Sequence, residues 1–390
     1  MTLLTLVILL LALTITTPLP QFLTTPTSKI AFSVTTPPTS AASAPPLLLL
    51  NGFGVGQFHQ KRLVSSLSRS PTFSSIYTLD YLGQGDSWPL SIPPTTNLDS
   101  IGTSPSEANL NYSVETWIEQ VHDFITSTIL PNAESPSIAI AGNSLGGYIA
   151  TILAKRYPDL FSTLILFNAT PIWGGIFASS PLTNWDGVLP APTLPRFIGK
   201  TIYDQIRDPQ NVYTLMAECY ATPLAHTSDR ICEKIIGAAS NNGGHAAFSS
   251  ILFSPGAPEA SQFHDNFLNT PAHKDLRILG IYGKADPWID GRFSRRLFSS
   301  LQASGNLKND NINLIELNNV AHCPNHEAAT ACATIISRFM QKTTPLLLQN
   351  EKETFVDEAW GGEHDAEEIT TFDLPPLSTF FVDTLQRIAN

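Results

Sequence analysis

The chain has 390 residues, 43% of them hydrophobic, enough for one large core, or a core with a smaller subdomain, without disulfides or metals. Nine acids against one lysine between residues 351 and 373 give that stretch a net −8, which leaves about −3 of the total −11 for everything else. Whole-chain disorder is thereby excluded, no basic face exists for a nucleic acid, and the four cysteines (Cys219, Cys232, Cys323, Cys332), without a C-x-x-C pair, read as reduced, mostly buried thiols rather than a disulfide framework or zinc site.

The first 46 residues differ in kind from the rest: one charge, Lys29, no acid, and many Thr, Ser and Pro. Leu3 to Ile15 is an apolar run, shorter than the ~20 residues that span a bilayer and suited to the hydrophobic region of a secretory signal. Thr16 to Pro46 is hydroxyl-rich and acid-free, the character of a plastid transit peptide. Together they predict a bipartite targeting leader over residues 1–46 and a plastid destination, with endomembrane or secretory delivery, or an uncleaved signal anchor, as alternatives. Ile30 to Val34 also fits an early strand, which would end the leader sooner.

From residue 47 short apolar runs alternate with longer mixed segments, the pattern of buried parallel strands separated by helices. Strands are predicted at Leu47 to Leu50, Ser75 to Asp80, Ser137 to Gly142, Thr163 to Asn168, Arg277 to Tyr282 and Ile312 to Leu317. Helices fit Tyr112 to Leu130, Leu145 to Tyr157, Gly291 to Ser304 and Asn325 to Gln341. The rhythm breaks once, between Asn168 and Arg277, where the connection is too long for a simple crossover and reads as an inserted subdomain. The predicted plan is a first core part at 47–168, an insertion at 169–275, a second core part at 276–348 and an acidic tail at 349–390, partly disordered or packing only at its end.

Gly142-Asn143-Ser144-Leu145-Gly146 matches G-x-S-x-G directly after a predicted strand and directly before a helix. Small residues two positions either side let such a turn close while the serine hydroxyl stands clear of the sheet. A serine is a poor nucleophile alone, so the reading requires an acid and then a histidine downstream. Asp286, in Tyr-Gly-Lys-Ala-Asp-Pro-Trp, and His322, in Asn-Asn-Val-Ala-His-Cys-Pro, each follow a strand run, and loops at the carboxyl ends of parallel strands share one sheet edge. The order Ser, acid, His predicts an α/β-hydrolase fold: a mostly parallel sheet flanked by helices, with an inserted lid subdomain. Backbone N–H donors for the oxyanion are expected from Leu145 and from Phe53, in the glycine-rich loop Asn51 to Gly56. A dinucleotide-binding reading of that loop fails on spacing, since the third glycine of G-x-G-x-x-G would fall at Gln57 or His59. His322, Cys323 and His326 lack a fourth neighbour at metal-ligand spacing, and no glycine elbow supports Cys323 as a nucleophile.

Further stretches carry a resemblance: Gly52-Phe53-Gly54-Val55-Gly56-Gln57-Phe58-His59, Asp80-Tyr81-Leu82-Gly83-Gln84-Gly85, Asn168-Ala169-Thr170-Pro171-Ile172-Trp173-Gly174, Phe253-Ser254-Pro255-Gly256, Asp286-Pro287-Trp288 and His322-Cys323-Pro324. In this order, with the elbow, they resemble the plant and algal pheophytinase family, and less closely its chlorophyll dephytylase relatives, over about residues 47 to 345. The resemblance implies hydrolysis of a carboxylic ester, with phytol removed from pheophytin or a related chlorophyll pigment, and places the nucleophile at Ser144, the base at His322 and the acid at Asp286. Asn51 departs from the family pattern before the oxyanion loop, and Ile172 and Gly175 replace aromatics beside Trp173. The insertion is rich in aromatics, of which Trp173, Phe177 and Phe253 are the expected contacts to an apolar pigment ester. No cofactor or metal is required, no obligate protein partner is evident, and peripheral association with pigment-bearing membranes fits the substrate. The rival functions are a general lipase or esterase on acylglycerols or small esters, and a hydrolase-fold ligand receptor.

Overall fold

The computed structural model describes residues 21–24, 28–38, 42–90, 110–171, 184–241, 243–257, 268, 271–303, 305, 307–343, 346–347, 352–356 and 363–370. Its strands are β1 (Gln21–Thr24), β2 (Ser28–Thr35), β3 (Leu47–Leu50), β4 (Ile76–Leu79), β5 (Trp88–Pro89), β6 (Ile138–Asn143), β7 (Phe161–Phe167), β8 (Arg277–Gly283), β9 (Ile312–Leu317), β10 (Lys352–Val356) and β11 (Glu363–Glu368). The main helices are α1 (Lys61–Leu67), α2 (Val114–Phe124), α3 (Leu145–Arg156), α4 (Thr193–Ile206), α5 (Pro209–Glu218), α6 (Ile231–Ala239), α7 (Gly244–Phe253), α8 (Gly291–Ala303), α9 (Pro324–Glu327) and α10 (Ala329–Met340).

All lie around one sheet in the order β1-β2-β4-β3-β6-β7-β8-β9-β11-β10, with β5 paired to β2. The six central strands from β4 to β9 run parallel. They are rich in buried apolar residues because both faces are covered; β3 is four buried leucines. From β3 the chain moves one way to β4 and then returns to the other side as β6, so a crevice opens at the carboxyl ends of β3 and β6, the place where open α/β sheets take ligands. Ser144 and the Gly52 loop lie there. The insertion between β7 and β8 contributes α4 to α7, which cap that edge, and Val212, Met216, Cys219, Tyr220, Ile231 and Cys232 pack together with Cys323 of the core. All four cysteines are buried, and none is in a disulfide.

Three expectations need correction. The 1–46 leader boundary cuts through sheet, and the alternative reading of Ile30 to Val34 as an early strand holds: β2 pairs antiparallel with β4, and its Ile30, Ala31 and Phe32 are buried in succession, so both faces of the strand are covered there. The apolar run Leu3 to Ile15 lies outside the described residues. The acidic tail of 349–390 supplies β10 and β11, with β11 antiparallel to β9. Phe355, His364 and Ala366 face inward, Glu363 and Asp365 face out, and Glu353, on the face of Phe355, is gripped by Arg338. Finally, the last long helix breaks at Ala328, whose φ of −122° and ψ of 44° separate α9 from α10.

Candidate active site

The elbow carries a backbone that only tight packing sustains. Ser144 sits at φ 53° and ψ −121°, a rare conformation for a side chain with a Cβ. Its N–H donates to Phe167 O at 3.0 Å, and its carbonyl accepts from Gly147, Tyr148 and Thr170. A Cβ on Gly142 would lie 2.2 Å from the carbonyl carbon of Gly146, and one on Gly146 would lie 2.6 Å from Leu50 O, so both glycines are required by close backbone approach.

Asp286 is buried at the end of β8 and accepts four hydrogen bonds. Its Oδ1 takes the N–H groups of Trp288 (2.8 Å) and Ile289 (3.0 Å); its Oδ2 takes Asn168 Nδ2 (2.7 Å) and His322 Nδ1–H (2.8 Å). Every partner is a donor, so the carboxylate orients the imidazole with its hydrogen on Nδ1 and leaves the Nε2 lone pair for a proton. His322 is also held at its backbone: its N–H donates to Cys219 O at 3.1 Å, and its carbonyl accepts from Asn143 Nδ2 at 2.8 Å. Trp288 packs its ring 5.0 Å from the imidazole.

The glycine-rich loop lies against the elbow, since a Cβ on Gly52 would stand 3.3 Å from Ser144 Cβ. Asn51, the departure noted above, donates through Nδ2 to Val55 O at 2.7 Å and so braces the turn. Gln84 Oε1 accepts Gly54 N–H at 2.8 Å, and buried Asp80 accepts Gln57 N–H at 2.6 Å and Asp86 N–H at 2.9 Å. Leu145, the first residue of α3, has its N–H ahead of the helix's own hydrogen-bond ladder. The Phe53 ring lies on the cavity wall, 5.9 Å from that of Phe248.

Ser144, His322 and Phe53 line one cavity of about 450 Å³, walled chiefly by apolar side chains, among them Trp88, Val212, Leu215, Met216, Phe248 and Ile251. Of the three expected substrate contacts, Trp173 and Phe177 lie outside the described residues. Phe253 is a correction: it is fully buried in the main core and does not line the cavity. Phe248 does, and residues five apart on a helix point about 140° from one another.

Sequence reasoning did not single out Asn143 or Asn168. Asn168, at φ 37°, also donates to Gly283 O and accepts Gly283 N–H at 2.8 Å, so one amide fixes both the end of β8 and the carboxylate. Asn168→Ala should lower kcat on a short ester about tenfold with KM little changed, because the acid loses a positioning partner; steady-state kinetics would show parity if that role is absent.

Asp80 makes a second, pH-dependent prediction. Burial pushes its pKa from the ordinary 3.8 up to about 6, against the opposing hydrogen bonds from Asp86 and Gln57. The folded carboxyl therefore holds its proton more tightly than the unfolded one, and its contribution favours folding below the unfolded value and is lost as pH rises through the folded one. Asp80→Asn should remove a fall of about 3 kcal/mol in stability between about pH 4 and pH 6. Urea melts across that range test it; a wild-type and variant difference independent of pH contradicts it.

Comparison with known proteins places this site in a family. Pheophytinase, chloroplastic, of Arabidopsis thaliana is 28% identical over 305 residues, 73% of this chain and 58% of that protein. The (lyso)-N-acylphosphatidylethanolamine lipase of Bos taurus is 31% identical over 156 residues, 40% of this chain and 38% of that one. The chain thus spans less than two thirds of either relative. A bacterial membrane phospholipase A shares the fold, at 19% identity, with a TM-score of 0.53 over 87% of this chain and 91% of that one. A family model described as the alpha/beta hydrolase family matches residues 47–335. That match, over a parallel sheet with this strand order and this strand-to-helix elbow, means that the chain belongs to the alpha/beta hydrolase family.

Proposed function

We propose that this ester hydrolase is a serine enzyme that removes phytol from pheophytin, or from a related chlorophyll pigment, through an acyl-enzyme. The observation that carries the reading is the His322–Asp286 pair, at 2.8 Å, opening onto the same apolar cavity as the strained Ser144. Ser144 Oγ attacks the propionyl ester carbon, and His322 Nε2 takes its proton and returns it to the leaving phytol oxygen. The negative oxygen of the tetrahedral intermediate is held by the N–H groups of Phe53 and Leu145. Water then attacks the acyl-enzyme, with His322 again carrying the proton, and the pigment acid leaves. Each step needs only these side chains and water.

An apolar cavity of this size suits a long hydrocarbon alcohol, whose burial contributes about 25 cal/mol per Å². Pheophytinase of Arabidopsis, to which the chain is similar, is chloroplastic, and that supports a plastid location. Peripheral contact with a pigment-bearing membrane is supported by Phe197, 68% exposed on the cap, and by Ile206 and Trp288, which are exposed at the cavity wall. Among the described residues no helix is long and apolar enough to cross a membrane. Similarity to the bovine lipase keeps a second reading open, hydrolysis of other lipid esters. Purified protein offered pheophytin, chlorophyll, a diacyl phospholipid and a short nitrophenyl ester side by side separates the two. Pheophytin is expected to give the highest kcat/KM; phospholipid above pigment would refute the pigment assignment and leave ester hydrolysis standing.

A further inference from the structure

A buried chain of polar side chains runs between the cap and the two loops that flank the cavity, and the ester chemistry above does not use it. Its centre is Tyr220, in the stretch after α5, buried and outside the cavity wall. The phenol oxygen lies 2.9 Å from His59 Nε2 and 3.1 Å from His326 Nδ1. His59 lies in the short turn that follows the glycine-rich loop, and His326 lies in α9, just past His322. Their rings stack at 5.2 Å. His326 Nε2 faces Asp229 Oδ2 at 3.4 Å, and Asp229, bound by Arg62 Nε at 2.6 Å, brings the chain to the surface.

The Asp229 carboxylate, at ion-pair distance, favours a hydrogen on His326 Nε2, and in that tautomer Nδ1 accepts from the Tyr220 hydroxyl. The Tyr220 oxygen in turn accepts His59 Nε2–H. Burial, together with the neighbouring imidazoles of His326 and His322, pushes the His59 pKa well below its usual value, so the ring is neutral as this order requires. The same cap segment also grips the loop of His322 through its backbone: Cys219 O accepts His322 N–H, and Thr222 N–H donates to Glu327, which also accepts Ala321 N–H at 2.8 Å. Asn325 Nδ2 to Gln60 Oε1, at 3.1 Å, ties the same two loops a second time.

We propose that Tyr220 is a positioning residue for the reaction: its hydroxyl locks the turn behind the oxyanion loop to the helix behind the base, and seats the cap on both. The proposal rests on the reading of His322 as base. A base displaced by a fraction of an ångström loses rate without losing substrate. In the full chain, Tyr220→Phe keeps the ring and removes the hydroxyl.

Labelling of Ser144 by a fluorophosphonate gives a rate constant that does not depend on the folded fraction. The variant is expected to label about tenfold more slowly, to complete stoichiometry, with kcat on a short ester reduced by the same factor and KM unchanged. A lower labelled fraction at the wild-type rate constant, or a rate constant within about twofold of wild type, overturns the proposal. Should that variant fail to fold, Asp229→Asn reads the chain from its solvent end. Slower labelling is expected there too, and parity overturns the proposal. Ser144→Ala, run alongside, tests the underlying reading separately: labelling that persists in it sinks the assignment of the nucleophile, whatever Tyr220 does.

Discussion

Ser144→Ala is expected to lower kcat by roughly 10⁵- to 10⁶-fold, with KM little changed and the fold intact, the scale seen when a nucleophile is removed from an enzyme whose triad acts as a unit. Alanine keeps a Cβ at φ 53° and so inherits the backbone strain of the serine; it relieves nothing else. What survives is the oxyanion loop, held by Asp80 and Gln84, and the apolar cavity. A variant retaining a tenth of wild-type turnover would require a different nucleophile. Buried Cys323, whose thiol is pushed well above its usual pKa chiefly by a hydrogen bond with Cys219 and by burial, is poorly placed to supply a thiolate.

A large loss of stability is expected at Gly142. A methyl group there would meet the backbone of Gly146 and Gly147 at 2.2 to 2.4 Å, and backbone inside a packed elbow has no rotamer with which to move aside. Gly142→Ala should cost more than about 4 kcal/mol, a large share of the 5–15 kcal/mol that holds a typical domain together. Thermal melts and soluble yield read this directly. By contrast, Gly237→Ala should be tolerated, since nothing lies within 4 Å of a Cβ there and the site is inside α6. Equal melting temperatures for Gly142→Ala and wild type would mean that the elbow is looser than its contacts imply.

The same contrast explains what could be read in advance. Parallel strands buried on both faces write themselves as short apolar runs, so β3, β6, β7, β8 and β9 were legible to within a residue or two. The elbow and the Ser, acid, His order were legible because their spacing is imposed by chain geometry rather than by distant packing. The strands toward the sheet's two ends were less so. β2 sets few apolar residues in a hydroxyl-rich run, so Ile30 to Val34 read as a strand only as an alternative to the leader, and β11 buries only His364 and Ala366 among acids, too little period-2 signal to stand out from a solvated tail. Asn143, Asn168 and Tyr220 act across 179, 118 and 161 positions respectively, so their local sequence gives no sign of their partners. Phe253 and Phe248 are alike as letters, and only the phase of α7 decides which faces the cavity.

Trapping the covalent intermediate bears most directly on the central claim. Protein quenched in acid during turnover of a nitrophenyl ester, digested and weighed by mass spectrometry, should carry the acyl mass on the peptide containing Ser144, and none when that serine is alanine. An acyl group on another side chain, or undiminished turnover with no acylated peptide, would contradict it.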